Sequence, residues 1–434
     1  MLWSSLGLIS GKGVLMVLGF LFWLLAARRF PAREVGLTAG AISSIMFGVQ
    51  VALLGVGSAF IARYPRRQRR PADLLDTAIS IVTATSLLFA VAFLLLASGV
   101  FTQLRVVATM PAYALLFAVM SLAGTLGVLF DQVSMAQGRG DQVLARSVLN
   151  GVVTLLPIPF LPVVPGDGGS LELFAAWVAG GVGACALAFL QLRPVGGGYR
   201  YRPRVDWPIT GELVRVGLPN HALTLAERAP GLILPIVVTE LLSPTANAYW
   251  YTAWMMAWGV YVIPTSVGMA LFAEAAHRPS RLATDARRAI RSSLVIGLLA
   301  GGVLAVVANP LLSLLGRAYA AAGVAPLRIL LLGVVPLTLV QAYFSVCRAT
   351  GRLSEAVATG VVSGGGGIAT TAAAGVLSGL TGMATCWVLV LAATGAWSGW
   401  RLGRIVRPER HRRPTASDRL APVTVLEVQD AERA

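Results

Sequence analysis

The residues able to do chemistry in this chain gather in one segment. Gly217, Asn220, His221, Thr224, Glu227, Arg228 and Gly231 recur at helical spacing inside an otherwise apolar stretch. At about 100° per residue they fall within an arc of roughly 120° on one face of a helix. Ionisable groups inside an apolar span are expensive, so such positions mark function by default. A guanidinium such as that of Arg228 can grip a phosphate through two parallel N–H donors. The competing role for Arg228 is an internal ion pair, with Glu227 or with a neighbouring helix. Glu227, a deep carboxylate beside a cation, is the candidate for coupling to an ion, and Asn220, His221 and Thr224 line the same face.

Lys12 occupies nearly the corresponding place in the first apolar stretch. It either meets the same ligand or snorkels to the nearer membrane surface. Pro219, Pro230 and Pro235 interrupt the polar segment, each removing a backbone donor and inviting a kink. Asp131, Glu240 and Glu274 fall at the ends of apolar stretches and are expected to be solvated interfacial carboxylates. No His, Cys, Asp or Glu cluster has metal-ligand spacing, and neither a nucleophile elbow nor a phosphate-cradling loop is present. No metal and no cofactor is therefore expected. Cys185, Cys347 and Cys386 each lie in an apolar stretch and read as packing residues, as does the run Gly364 to Gly367.

The elements that must position these residues are membrane spans. Of 434 residues 56% are hydrophobic and 12% charged, where a soluble domain carries roughly 25% charged. Apolar runs of spanning length lie near 6–26, 35–62, 74–100, 107–135, 143–164 and 171–192, and again near 213–242, 246–273, 289–315, 327–346, 356–377 and 383–400. The predicted fold is an all-α integral membrane protein of about twelve spans. The first run is too long for a signal-peptide core and reads as a retained helix. Pro157, Pro159 and Pro162 break the fifth span.

The net charge of +16 would suggest nucleic acid in a soluble protein, but here the basic residues sit between spans, so no nucleic-acid partner is expected. Arginine collects in alternate loops: Arg63, Arg66, Arg67, Arg69 and Arg70; Arg193, Arg200, Arg202 and Arg204; Arg278, Arg281, Arg287 and Arg288. The intervening loops carry less, which places both termini in the cytoplasm. The two sets of six spans match at Gly7 and Gly217, Pro31 and Pro244, Gly57 and Gly268, Phe60 and Phe272, and Gly138 and Gly351. The offsets stay within about 210 to 213 residues, the mark of an internal repeat, here parallel because six is even. The expected organisation is a first lobe over 1–192, a basic linker over 193–212, a second lobe over 213–400 and a basic tail over 401–434 that touches anionic lipid.

Gly11-Lys12-Gly13, followed by Ala26-Ala27-Arg28-Arg29-Phe30-Pro31-Ala32-Arg33-Glu34-Val35-Gly36, resembles the opening of bacterial polysaccharide-biosynthesis flippases of the Wzx type. Gly217-Leu218-Pro219, Glu227-Arg228 and Ala248-Tyr249 are similar to the start of the second lobe in that family, part of the multidrug/oligosaccharidyl-lipid/polysaccharide (MOP) exporter superfamily. The resemblance covers roughly residues 6–400. It implies a MATE-like pair of lobes that rock between inward-open and outward-open states in a bacterial inner membrane. The implied substrate is an undecaprenyl-pyrophosphate-linked oligosaccharide, held at its pyrophosphate by Arg228 and Lys12. Membrane lipids and other polysaccharide-assembly proteins are the implied partners. The alternative is a cation-coupled drug or metabolite exporter. Multidrug members often carry an acidic residue in the first span, and none stands between Leu6 and Ala26. An enzyme is disfavoured, because the outer loops are about ten residues or fewer and offer no room for acid/base machinery.

Overall fold

The computed structural model describes residues 17–64, 71–161, 168–192, 201–277 and 281–406. Fourteen helices follow in chain order, with no strand among the described residues. They are α1 (17–29), α2 (Ala32–Ala52), α3 (Val56–Arg63), α4 (Pro71–Gly99), α5 (Arg105–Thr109), α6 (Pro111–Ala136), α7 (Gly140–Leu155) and α8 (Gly168–Leu192), then α9 (Trp207–Leu241), α10 (Pro244–His277), α11 (Leu282–Leu315), α12 (Arg317–Leu332), α13 (Val334–Ala349) and α14 (Leu353–Val406). Nine of these are long and apolar enough to cross a membrane, and the pair α12 and α13, bent by 43°, makes a tenth. α14 holds two spans, because Gly379 breaks it at φ 64°. Of the predicted first span only 17–26 is described, within α1. The chain is a multi-pass, all-α membrane protein.

Apolar side chains point outward as well as inward, as lipid requires. Leu88, Leu95, Leu299, Val306, Val362 and Leu377 are exposed along the spans, which in water would form an untenable patch. The interior is built from aromatics and small residues. Phe93 stacks on Phe117 at 4.7 Å and Tyr113 on Phe174 at 4.8 Å in the first half, while Trp250, Trp254 and Trp387 cluster in the second.

Four predicted boundaries move for identifiable reasons. The second span divides at Leu54 and Gly55, both with positive φ (47° and 76°), where a continuous run to 62 was expected. Gly55 takes that conformation without penalty and puts its backbone against Gly217, so that a Cβ added there would lie 2.4 Å from the Gly217 carbonyl carbon. The fourth span starts afresh at Pro111, whose fixed φ suits a first helical turn. The tenth reaches back to Arg317 as α12, a stretch hidden from hydropathy by Arg317 and Arg328. The seventh begins at Trp207, so the last six residues of the predicted linker are helical, whereas residues 201–206 run along the start of α4. There Tyr201 Oη meets Ser80 Oγ at 3.0 Å and the Arg202 amide donates to Asp76 at 3.2 Å. Lys12, residues 193–200 and the tail beyond 406 lie outside the described residues.

α2 is the spine between the halves. It is mostly buried, packed on α9 and α10 of the second half. The end of the bundle carrying residues 201–206 is called the linker end, and the opposite one the far end. At the far end a Cβ on Gly36 would fall 1.7 Å from the Pro244 carbonyl oxygen, so only glycine permits this approach, and Asn247 Nδ2 donates to the Gly36 carbonyl at 2.8 Å.

Candidate functional site

α9 carries the predicted polar stripe, and its N-cap is Asp206, which accepts from the Ile209 amide at 3.1 Å. The helix absorbs Pro219, Pro230 and Pro235 without ending. At 1.5 Å per residue its 35 residues span about 52 Å, well beyond a hydrocarbon core of about 30 Å, and Arg228 stands about 20 Å from its far end.

The stripe divides among three surroundings. Gly217 packs on Gly55 in the break between α2 and α3, and His221 faces α2: His221 Nε2 donates to the Gln50 carbonyl at 2.6 Å, which fixes the tautomer that carries the Nε2 proton. Glu227 turns to α13, where its Oε2 accepts from Arg348 Nη2 at 2.9 Å, with the Gln341 side chain beside it. Asn220 and Arg228 are exposed and Thr224 half-buried, Thr224 donating to the Asn220 carbonyl at 3.1 Å. Glu227 is therefore held by Arg348 rather than by its neighbour Arg228. The Arg228 guanidinium makes no hydrogen bond or ion pair with any described residue.

The position of Arg228 along α9 gives that exposure its meaning. α9 touches α2 at two levels, at His221 against Gln50 and at Thr239 against Gly40, where a Cβ on Gly40 would come within 2.7 Å of Thr239 Oγ1. Arg228 lies between those two levels along α9. Glu227, Arg348 and Arg228 together carry a formal surplus of one positive charge. Such an arrangement can receive an anion, since one carboxylate is already matched and one guanidinium keeps its five donors.

Arg348 was not visible as a site residue, because it falls two residues past the predicted end of its span and reads as a loop charge beside Arg352. Its signal was its place, one turn before Gly351-Arg352, in a helix facing α9.

Two carboxylates expected to be solvated are engaged instead. Asp131 Oδ1 accepts from Arg146 Nε at 3.0 Å and Nη2 at 2.7 Å. Arg146 also donates to Gln191 Oε1, Ser134 Oγ and the Phe130 carbonyl, so this buried guanidinium ties α6, α7 and α8 together. Glu240, at the far end of α9, crosses to the first half. It accepts from the backbone amides of Thr102, Gln103 and Leu104 at 2.7, 3.2 and 2.7 Å and from the Thr102 hydroxyl at 3.0 Å. The carboxylate thus satisfies three consecutive amides of the turn that leads into α5, the last of them at its N-cap, Leu104. Arg28 Nε, donating to the Leu314 carbonyl, adds a second bridge at this end.

No protein-family model and no curated protein matches the sequence. Solved structures share the fold. The inward closed conformation of the lipid II flippase MurJ superposes with a TM-score of 0.74 at 11% identity, covering 93% of this chain and 88% of that one. The inward-facing conformation of a multidrug-resistance MATE-family transporter of the MOP superfamily gives 0.70 at 14%, covering 90% and 94%. A MOP superfamily transporter from Pyrococcus furiosus gives 0.63 at 14%, covering 93% and 94%.

Proposed function

We propose that this chain is an alternating-access transporter that carries a lipid-linked oligosaccharide across the bilayer with its pyrophosphate on Arg228. The observation that carries this reading is the Arg228 guanidinium, exposed between two levels of contact of the halves and without a hydrogen bond or ion pair to any described residue. A cation held at that depth without use would cost at least about 2.5 kcal/mol. The charge state favours an anionic substrate over a cationic drug, because the nearby carboxylate, Glu227, is occupied by Arg348. The fold is also that of a lipid II flippase, a protein whose substrate is lipid-linked.

Lys12 is the second pyrophosphate ligand on this reading, and Asn220, His221 and Thr224 border the headgroup path. The residue ranges 1–192 and 213–400 are the moving lobes. On this reading the linker end, with its arginine-rich loops, and both termini lie in the cytoplasm of a bacterial cell, with other polysaccharide-assembly proteins as neighbours; the excess of arginine in alternate loops supports that orientation. The competing reading, a cation-coupled exporter of drugs or metabolites, rests on Glu227 and requires the Arg348 pair to open.

The test is flipping of a fluorescent undecaprenyl-pyrophosphate oligosaccharide in proteoliposomes, read by its exposure to an impermeant glycosidase. Wild type transfers the probe, Arg228→Ala does not, and Arg228→Lys retains part of the rate. Wild-type flipping by Arg228→Ala would remove Arg228 from the mechanism. Failure of the wild type on this probe, with transport of cationic drugs, would install the competing reading.

A further inference from the structure

At the linker end an open cavity of about 350 Å³ lies between the two halves, below His221 on α9 and away from Arg228. Arg63, at the end of α3, forms one wall, and Trp207, Pro208, Gly211, Glu212 and Arg215 of α9 form the others. Two guanidinium groups and one carboxylate leave it with a formal surplus of one positive charge. Arg63 Nε donates to Glu212 Oε1 at 3.0 Å across the halves, with both side chains about one quarter exposed (28% and 26%). Arg215, almost one helical turn on from Glu212, is exposed and makes no hydrogen bond or ion pair with any described residue. Trp207, at the cavity edge, is 77% exposed.

The depth of this cavity decides what can fill it. α9 exceeds the hydrocarbon core by about 20 Å, and a core of about 30 Å counted back from Leu241 ends about 9 Å short of Arg215, which sets the charged stretch through Arg215 at the level of lipid headgroups. Tryptophan favours that level because its ring is apolar and its N–H is wet. A small soluble anion would use the arginines and leave the indole and Pro208 bare, whereas a lipid phosphate brings a glycerol and acyl chains that cover them. Guanidinium groups grip phosphate through paired donors, and a phosphate bridged by two of them competes with the partly exposed Arg63–Glu212 contact.

We propose that this cavity binds an anionic membrane lipid, whose phosphate bridges Arg63 and Arg215 and displaces Glu212 from Arg63. Arg63 belongs to the first half and Arg215 to the second, so an occupied site exchanges one bond between the halves for another. Lipid composition thereby adjusts how tightly the linker end closes. The site is independent of Arg228, and its test does not depend on which substrate is carried.

The experiment is native mass spectrometry of the full chain titrated with phosphatidylglycerol, phosphatidylcholine or inorganic phosphate. Wild type should retain one phosphatidylglycerol at least tenfold more tightly than phosphatidylcholine. Arg215→Gln, at an exposed position without a hydrogen bond or ion pair to any described residue, should lose about tenfold in that affinity and keep its fold. Arg63→Gln should lose a similar factor, and Glu212→Gln should gain several-fold by removing the competitor. Arg204→Gln, an exposed linker arginine outside the cavity that pairs with Asp73, should bind as wild type. Equal retention of the two lipids overturns the proposal, as does wild-type phosphatidylglycerol binding by Arg215→Gln. A loss in Arg204→Gln as large as in Arg215→Gln reduces the effect to general surface charge. Inorganic phosphate binding as tightly as the lipid overturns the assignment to a lipid.

Discussion

Removing the Glu240 carboxylate should open the far end of the molecule. Four donors of the first half, three of them backbone amides, converge on this one side chain of the second half at 2.7 to 3.2 Å. Hydrogen bonds to a charged acceptor contribute about 1.5–3 kcal/mol each when fully buried, but Glu240 is only half-buried and Thr102 exposed. Water can therefore rehydrate the amides once the halves part, and a helix N-cap, worth about 0.5–2 kcal/mol, is the better scale for each pair of bonds. On that scale Glu240→Ala weakens far-end closure by about 2–3 kcal/mol, or roughly 30- to 150-fold in the ratio of closed to open molecules. Glu240→Gln keeps one carbonyl acceptor and should lose about half of that free energy. Thr102→Ala removes a single 3.0 Å bond and should shift the ratio by about threefold. Spin labels at Val100 and Leu241, both exposed at the far end, report the separation of the halves by pulsed electron resonance, with Cys386 replaced beforehand. Distance distributions for Glu240→Ala that coincide with wild type would refute the reasoning, because the carboxylate would then be a passive cap.

Breaking the Glu227–Arg348 pair from one side should cost more than removing both partners. Arg348→Met leaves a buried carboxylate without its 2.9 Å partner and should destabilise by about 3 kcal/mol, while the double variant Glu227→Gln with Arg348→Met recovers most of this in a thermal melt. Glu227→Gln alone leaves both guanidinium groups uncompensated, so it should tighten binding of a pyrophosphate-bearing lipid measured by competition with the fluorescent probe. Arg146→Met should destabilise by about 1.5–3 kcal/mol, since it strands Gln191 and an Asp131 that water can reach, with the flipping rate per folded molecule unchanged. A well-folded Arg146→Met protein that cannot transport would reassign Arg146 to the substrate path.

The spans were legible because hydropathy over about 20 residues is a strong signal, and prolines at 157 and 159 told correctly where α7 stops, at Leu155. The break at Leu54 and Gly55 was hidden, since a backbone reversal inside an apolar run leaves no mark on hydropathy and depends on Gly217, over 160 residues away. The polar face of α9 was readable from its 3.6-residue period, but not its division among three neighbours. Periodicity shows which residues share a face, while partners come from tertiary packing, so Arg348 escaped notice. Glu240 was the hardest to foresee. Its partners are backbone amides, groups that every residue but proline carries, and no pattern of side chains can announce them.

The contacts between the halves lie at different distances from Arg228, and the difference bears on how a ligand there would be felt. At the far end they are hydrogen bonds with backbone groups, from Glu240, Asn247 and Arg28, about 18 Å along the helix from Arg228 to Glu240. Toward the linker end they are His221 on the Gln50 carbonyl and Arg63 on Glu212. His221 is only two helical turns, about 10 Å, from Arg228, and the prolines at 219 and 230 bracket both residues in one length of α9. A kinked helix concentrates bending at its prolines, so an anion drawn to Arg228 moves His221 with it more readily than it moves Glu240, which lies beyond Pro230 and Pro235. On the proposed reading, substrate binding therefore acts first on the linker-end contact, and the far-end bridge yields in a later step.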